Sequence, residues 1–131
     1  MKDKPNRREG IPSYPLVRLD ALQLDIDEWV KKNFATHPLH HPLLGLVEEV
    51  GELSHAVLKR EQKIRLNENH DAEIRDAVGD ILIYLIDFCN AEAISISNCL
   101  QETWGNVKKR DWNEHRTIYH SKEETNEQET Q

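Results

Sequence analysis

Residues 73–88 constrain the fold more than any other part of the sequence, because this segment is strongly apolar and yet carries four acids. At about 100° per residue of helix, the acids fall within roughly 60° of one another; they are Glu73, Asp76, Asp80 and Asp87. An ordinary surface helix has a narrow apolar stripe and a broad polar face, and this segment has the reverse. It predicts a helix at the centre of an all-α fold, with its acidic stripe facing a cleft.

Apolar periodicity and capping signals predict four helices, and no strand pattern competes with them. The predicted helices cover residues 19–36, 42–60, 71–91 and 95–112. Asp20 and Gln23 have the spacing of a capping box at the first helix, and Ser95 is a typical N-cap of the fourth. Pro42 suits the first position of the second helix.

The two ends of the chain differ in composition from the middle. Residues 1–15 are charged and rich in Pro and Gly, whereas residues 114–131 are almost purely polar. We expect a flexible N-terminal segment and a polar C-terminal tail. Residues 16–113 remain for one all-α domain.

Composition excludes several classes of partner. A net charge of −7 argues against binding to a nucleic-acid backbone. The sequence contains neither an apolar run of about 18–20 residues nor the apolar core of a signal peptide, so we expect no membrane partner. The two cysteines, Cys89 and Cys99, lie in apolar-periodic segments, which is typical of a reduced, cytoplasmic protein.

The sequence LVEEVGEL places three further acids, Glu48, Glu49 and Glu52, on the second helix. Exposed like charges three or four residues apart repel by a few tenths of a kcal/mol, and burial increases that cost. A cleft between the second and third helices would have Glu49 and Glu52 on one wall and Asp76 and Asp80 on the other. Carboxylate oxygens suit Mg²⁺ or Mn²⁺, so the acids are interpreted as a metal site. A solvated acidic face is the simpler alternative.

Two segments, LLGLVEEVGELSHAVLK and RDAVGDILIYLIDFCN, together resemble the MazG-type all-α nucleoside triphosphate pyrophosphohydrolases. The family signature is two adjacent glutamates with a third three residues on, then a loop, then Glu-x-x-Asp. Glu48, Glu49 and Glu52 match the first half position by position. In the second half Asp80 takes the place of the family aspartate, but Ala77 replaces the glutamate three residues before it.

Two acids could stand in for the missing glutamate. Asp76 is the nearest acid in the register that aligns Asp80, whereas Glu73 and Asp76 together spell Glu-x-x-Asp about one turn upstream. The register with Asp80 is preferred, because shifting a packed helix by a turn would rearrange its core. Whether Asp76 or Glu73 replaces the glutamate stays open.

The resemblance implies the chemistry, namely Mg²⁺-dependent cleavage of a (d)NTP to the monophosphate and pyrophosphate, with Mn²⁺ as an alternative ion. It implies a general base at Glu48 or Glu49, and metal ligands at Glu49, Glu52, Asp76 and Asp80. It also implies a four-helix MazG-like bundle completed by dimerisation, as a homodimer or a dimer of dimers.

Residues outside the signature are weaker candidates. Lys109 and Arg110 follow the fourth helix and could approach the phosphates of the substrate, although cations also suit a helix C-terminus. The three tryptophans are interpreted as packing residues, although one of them could stack on a base; they are Trp29, Trp104 and Trp112. The pair His70–Asp71 spells the dyad of HD-type phosphohydrolases, but it lies at a helix start rather than within an apolar helix.

The alternative function is a catalytically silent dimeric helical module of the same fold, used for regulation or partner binding. The substitution at Ala77 favours this alternative. The other acids of the signature are present at their helical positions, and this favours an enzyme.

Overall fold

The computed structural model describes residues 16–113 and forms four helices within them. They are α1 (Leu19–Phe34), α2 (His40–Gln62), α3 (His70–Ala91) and α4 (Ile96–Val107). This part of the chain contains no strand, so the predicted all-α class and the number of helices are confirmed. The predicted flexible segment, residues 1–15, and the predicted polar tail, residues 114–131, lie outside the described residues.

The chain forms two compact units, the first ending at Ile94 and the second beginning at Ser95. In the first unit α3 packs against both α2 and α1, which is the central position that its apolar composition predicts. The buried apolar residues of this unit are Ile26, Val30, Ala56, Ala77, Ile86 and Cys89. In the second unit α4 buries Ile96. No helix in the described part of the chain has the length and apolar character needed to cross a bilayer.

Helix α4 begins as its capping signal predicts. The Ser95 hydroxyl accepts a hydrogen bond from the backbone N–H of Asn98 at 3.2 Å. The helix ends at Val107, so it is shorter than the predicted range to residue 112. Helix α2 begins at His40, so Pro42 is its third residue rather than the predicted first, but it still lies in the first turn, where its missing N–H would have no helical acceptor.

The capping box predicted at Asp20 and Gln23 is wrong. Helix α1 begins two residues earlier than that box requires, and its N-cap, Arg18, makes no side-chain cap hydrogen bond. The Asp20 carboxylate pairs instead with the Arg18 guanidinium at 2.7 Å. Gln23 donates from its side chain to the carbonyl of Ile94 at 2.7 Å, so it ties α1 to the chain after α3.

Helices α2 and α3 pack closely at Gly45. A Cβ atom placed on this residue would overlap the ring of Tyr84. The backbone of α2 therefore lies directly against an aromatic side chain of α3, and only glycine permits that approach. This contact fixes how the two helices lie along each other.

We expect Gly45→Ala to lower the free energy of unfolding by about 1–3 kcal/mol, because the added methyl group overpacks the helix interface. Gly79→Ala is the matched control, since a Cβ on Gly79 has no neighbouring atom within 4 Å. Alanine is a better helix former than glycine, so the control should gain roughly 0.5–1 kcal/mol. Chemical denaturation of both variants measures the difference. Stabilisation by both substitutions would contradict the close packing at Gly45.

Candidate functional site

The contact between Gly45 and Tyr84 sets the position of the acids on the two helices. Glu49 lies one helical turn after Gly45, and Asp80 lies one turn before Tyr84. Because residues four apart share a helix face, the layer next to the Gly45–Tyr84 contact contains these two acids. Glu49 and Asp80 are both partly buried and line one cavity together.

The predicted site residues of α2 and α3 share one electrostatic environment. The pKa of Glu49 is raised above its usual value, first by burial and then by four neighbouring negative charges, those of Glu52, Asp80, Glu48 and Asp76. The structure thus brings together the four predicted ligands and the adjacent Glu48. We call these five residues the acidic cluster.

No protein cation neutralises the acidic cluster within residues 16–113. The salt bridges in this part of the chain use other acids, and none includes a member of the cluster. The mutual repulsion that the sequence predicts is therefore present in the folded chain. A bound cation would stabilise such a cluster, because its positive charge would offset the repulsion between the carboxylates.

Two cavities adjoin the acidic cluster. The first has a volume of about 580 Å³, and its charged and polar lining residues are Glu48, Glu52, His55, Arg65, Glu68, Glu73 and Asp76. The second has a volume of about 470 Å³ and is lined by Glu49, Asp80, Asp25 and Asp87 together with Ile26, Trp29, Val30, Phe34, Ile83 and Tyr84. We call them the polar cavity and the aromatic cavity. The acidic cluster contributes side chains to both.

The aromatic cavity contains exposed rings. Trp29 is 56% exposed, so it is not a buried packing residue in this chain. Its ring meets that of Phe34 edge to face, with the centroids 5.6 Å apart. At the same cavity Asp87 pairs with His37, whose Nε2 lies 3.0 Å from a carboxylate oxygen.

Buried His70 connects the loop before α3 to the polar cavity. Its Nε2 lies 3.1 Å from the carbonyl oxygen of Ile64, and its Nδ1 lies 3.0 Å from a carboxylate oxygen of Glu73. Both acceptors favour the imidazolium, so Glu73, followed by the Ile64 carbonyl, raises the pKa of His70. The ligand atoms of Glu68, His70 and Glu73 lie within 4.8 Å of one another, a grouping that could also hold a metal ion.

The position of Ala77 bears on the missing family glutamate. Ala77 is 3% exposed and belongs to the core of the first unit. Asp76 and Glu73 both line the polar cavity, but Glu73 is engaged by His70 whereas Asp76 forms no salt bridge with a described residue. This difference favours Asp76 as the acid that serves the site.

The sequence pattern does not identify Arg65 and Glu68 as residues near the acidic cluster, and it singles out His70 only as part of a dyad that its place at a helix start argues against. Arg65 and Glu68 belong to the loop between α2 and α3, where no helical period assigns a face, and His70 is the first residue of α3. The sequence marks only the helix start, at which Asn69 accepts a hydrogen bond from the backbone N–H of Ala72 at 3.1 Å. The loop's approach to the cavity is a property of the tertiary structure.

Lys109 and Arg110 lie beyond α4 in the second unit. Their backbone N–H groups bond to the carbonyls of Asn106 and Val107 at 3.3 and 3.0 Å, so they continue the last turn of that helix. Their contact with the phosphates of a substrate stays a prediction.

A comparison with known families finds the MazG nucleotide pyrophosphohydrolase domain, whose model matches residues 39–116. This range is more than half of the 131-residue chain and contains the whole acidic cluster. It begins after α1, so it does not include Trp29 or Phe34. No curated protein and no solved structure matches the chain significantly.

The His70–Glu73 pair predicts a pH-dependent contribution to stability. The folded pKa of His70 lies above its ordinary value of 6.5. The pair therefore stabilises the fold fully below that value, and its contribution is lost as the pH rises through the folded pKa. We expect the stability difference between the wild type and Glu73→Gln to be larger near pH ~6 than near pH ~9.

Thermal melts of both proteins across this range measure the difference. Glu92→Gln, at the exposed C-cap of α3, is the control and should show a difference from wild type that is independent of pH. A Glu73→Gln difference that stays constant or grows with pH would contradict the ion pair.

Proposed function

We infer the function of this chain from the premise that it belongs to the MazG nucleotide pyrophosphohydrolase family. We propose that it is a Mg²⁺-dependent hydrolase that converts a (d)NTP and water to the (d)NMP and pyrophosphate. The observation that carries the proposal is the acidic cluster, in which five carboxylates from two helices share one environment without a neutralising cation among the described residues.

The proposed metal ligands are Glu49, Glu52, Asp76 and Asp80. Carboxylate oxygens from two rigid helices are the donors that a hard cation such as Mg²⁺ prefers, and Mn²⁺ is the alternative ion. The group around His70 fits Mg²⁺ less well, because its imidazole is a nitrogen donor and already pairs with Glu73. When bound, Mg²⁺ would supply charge neutralisation for the triphosphate.

The remaining chemistry belongs to the chain's own residues. The water oxygen forms a bond to the α-phosphorus, the bond between that phosphorus and the oxygen bridging to the β-phosphate breaks, and pyrophosphate leaves. Glu48 or Glu49 accepts the proton of the water. The raised pKa of Glu49 favours proton acceptance, whereas Glu48 is not required as a ligand and lines the polar cavity.

The aromatic cavity is the proposed site of the nucleoside. Trp29 and Phe34 offer exposed aromatic surface beside Glu49 and Asp80. Stacking of a base on an aromatic side chain contributes about 1–3 kcal/mol to binding. A base in this cavity would place the triphosphate at the acidic cluster.

The silent-module alternative loses support from the position of Ala77. This residue lies in the core, and its neighbour Asp76 provides a carboxylate at the polar cavity. The chain can therefore present a complete acidic set without a glutamate at position 77. The two cysteines of the chain, Cys89 and Cys99, form no disulfide, which accords with the cytoplasmic location that we propose.

Removing one acid should affect activity and stability differently. We expect Mg²⁺ to raise the melting temperature of the wild type, because it binds only the folded chain tightly. Glu52→Gln or Asp80→Asn should leave metal-free stability unchanged or higher, because each relieves repulsion. Turnover should fall by roughly 100-fold or more, the scale of losing one strong electrostatic contact to the transition state.

Glu61→Gln, on an exposed turn of the same helix as Glu52, is the matched control and should change neither property. Melting temperature with and without Mg²⁺ is measured beside pyrophosphate release. If Glu52→Gln unfolds the protein or keeps near-normal hydrolysis, the acid is not a metal ligand.

The proposed assembly is a homodimer or a dimer of dimers that completes the helical bundle. Large apolar side chains of α2 and α3 are more than 40% exposed in the single chain, among them Leu44, Val47, Val78, Leu82 and Ile83. Large apolar side chains that are exposed together on two packed helices are typical of a subunit interface.

Analytical ultracentrifugation tests the assembly. At micromolar concentration we expect at least twice the chain mass of 15.3 kDa. Leu44→Glu and Leu82→Glu should shift the protein towards the monomer, because a charge at the interface would be buried without a partner. A wild-type monomer with full activity would contradict the homodimer.

A further inference from the structure

The polar cavity is lined by five acids and one arginine among the described residues. We propose that this arginine, Arg65, binds the two phosphates of the substrate that leave as pyrophosphate. The inference rests on the proposed function, because it assigns a role within the same site. A nucleoside in the aromatic cavity and its α-phosphate at the acidic cluster leave the polar cavity for the rest of the triphosphate.

The position of Arg65 is set by its backbone. Arg65 has a φ of 52° and Lys63 a φ of 55°, so two residues with side chains adopt the left-handed conformation within one short loop. This conformation costs free energy for residues other than glycine, and such residues are concentrated at functional sites. The loop keeps the strained geometry because the surrounding structure stabilises it.

Two contacts hold the loop on either side of Arg65. Before it, the carbonyl of Ile64 accepts a hydrogen bond from the ring of buried His70 at 3.1 Å. After it, the carbonyl of Arg65 accepts a hydrogen bond from the backbone N–H of Glu68 at 3.0 Å. The guanidinium is thus attached to an ordered backbone before any substrate arrives, which lowers the entropy lost on binding.

The guanidinium of Arg65 remains available to a ligand. Its one salt bridge within residues 16–113 is with Glu68, at 3.5 Å, and the Arg65 side chain is 54% exposed. An arginine that served only to neutralise the acids would pair closely with Glu48, Glu52 or Asp76, and it forms no salt bridge with any of them. A guanidinium has five donors, so it can bind phosphate oxygens while it keeps the contact with Glu68.

The electrostatics of the cavity explain why such a residue is needed. A triphosphate that approaches five carboxylates is repelled unless cations accompany it. Metal bound at the acidic cluster would neutralise the part of the substrate nearest to it. Arg65 supplies a positive charge to the polar cavity from the loop before α3, where its one salt bridge within residues 16–113 is with Glu68.

The test compares Arg65→Gln and Arg65→Lys with a matched control, Arg60→Gln. Arg60 is also exposed and also forms one salt bridge, to Asp71 at 2.8 Å, but it does not line the polar cavity. For the full chain with Mg²⁺, kcat and KM are measured for a panel of (d)NTPs. Calorimetric titration with Mg²⁺–pyrophosphate measures binding without turnover, and the melting temperature reports the fold.

We expect Arg65→Gln to lower both kcat/KM and the affinity for Mg²⁺–pyrophosphate by roughly 10- to 100-fold, the scale of losing hydrogen bonds to a charged group. Arg65→Lys keeps the charge but loses the paired donors, so it should recover part of both properties. Arg60→Gln should stay within about twofold of wild type, because an exposed salt bridge contributes little. A melting temperature close to that of wild type in the Arg65 variants excludes a purely structural effect.

The outcomes separate this inference from the proposed function. If the wild type hydrolyses nucleotides and Arg65→Gln behaves like Arg60→Gln, the role of Arg65 is wrong and the function stands. If the wild type is inactive but binds Mg²⁺–pyrophosphate through Arg65, the function is wrong and the phosphate site stands. If the wild type neither turns over nucleotides nor binds pyrophosphate, both are wrong. If Arg65→Gln fails to fold, the test rests on Arg65→Lys. Wild-type affinity for Mg²⁺–pyrophosphate and a wild-type kcat/KM in that variant would exclude paired contacts between the guanidinium and the phosphates.

Discussion

The packing of α2 on α3 at Gly45 and Tyr84 determines where the acidic cluster lies. Glu49 lies one turn after Gly45 on α2, and Asp80 lies one turn before Tyr84 on α3, so these two acids form the next layer. Glu52 and Asp76 lie about one further turn away in the same direction. The helices can lie this close only because Gly45 has no side chain. The acids of the two helices are therefore brought together by the packing of the helices and not by any attraction between them.

As a consequence, the fold contains carboxylates that form no salt bridge with any described residue. Burial and four neighbouring carboxylates raise the pKa of Glu49, and no salt bridge of the described residues offsets them. A site of this kind is prepared for a metal ion, because the carboxylates need not be reorganised or separated from basic partners when the ion binds.

Much of the fold follows from the sequence, because helical periodicity is a local property. The range of α3 is correct to within one residue, and its central position follows from its broad apolar surface. The error at the start of α1 has a local cause, since Arg18 engages the carboxylate that was expected to cap the helix. The facing of Glu49 and Asp80 is also predictable, because both acids lie in register with apolar neighbours.

The rest of the candidate site depends on tertiary contacts that no local pattern encodes. Arg65 reaches the polar cavity through a loop in which Lys63 and Arg65 take a conformation typical of glycine, so the sequence contains no turn signal there. His70 looks like an ordinary residue at a helix start, yet its ring is buried and holds that loop. Ala77 stands where the family signature has a glutamate, but in the fold it is a buried core residue.

We propose that the acidic cluster directs water to the α-phosphorus of a nucleoside triphosphate. Phosphorus NMR of a (d)NTP panel incubated with the full chain tests it most directly, with Mg²⁺ present or removed by a chelator. We expect the nucleoside monophosphate and pyrophosphate as the products, and we expect them only with Mg²⁺. Release of orthophosphate with a nucleoside diphosphate, product formation without a divalent ion, or no cleavage of any nucleotide would contradict the account.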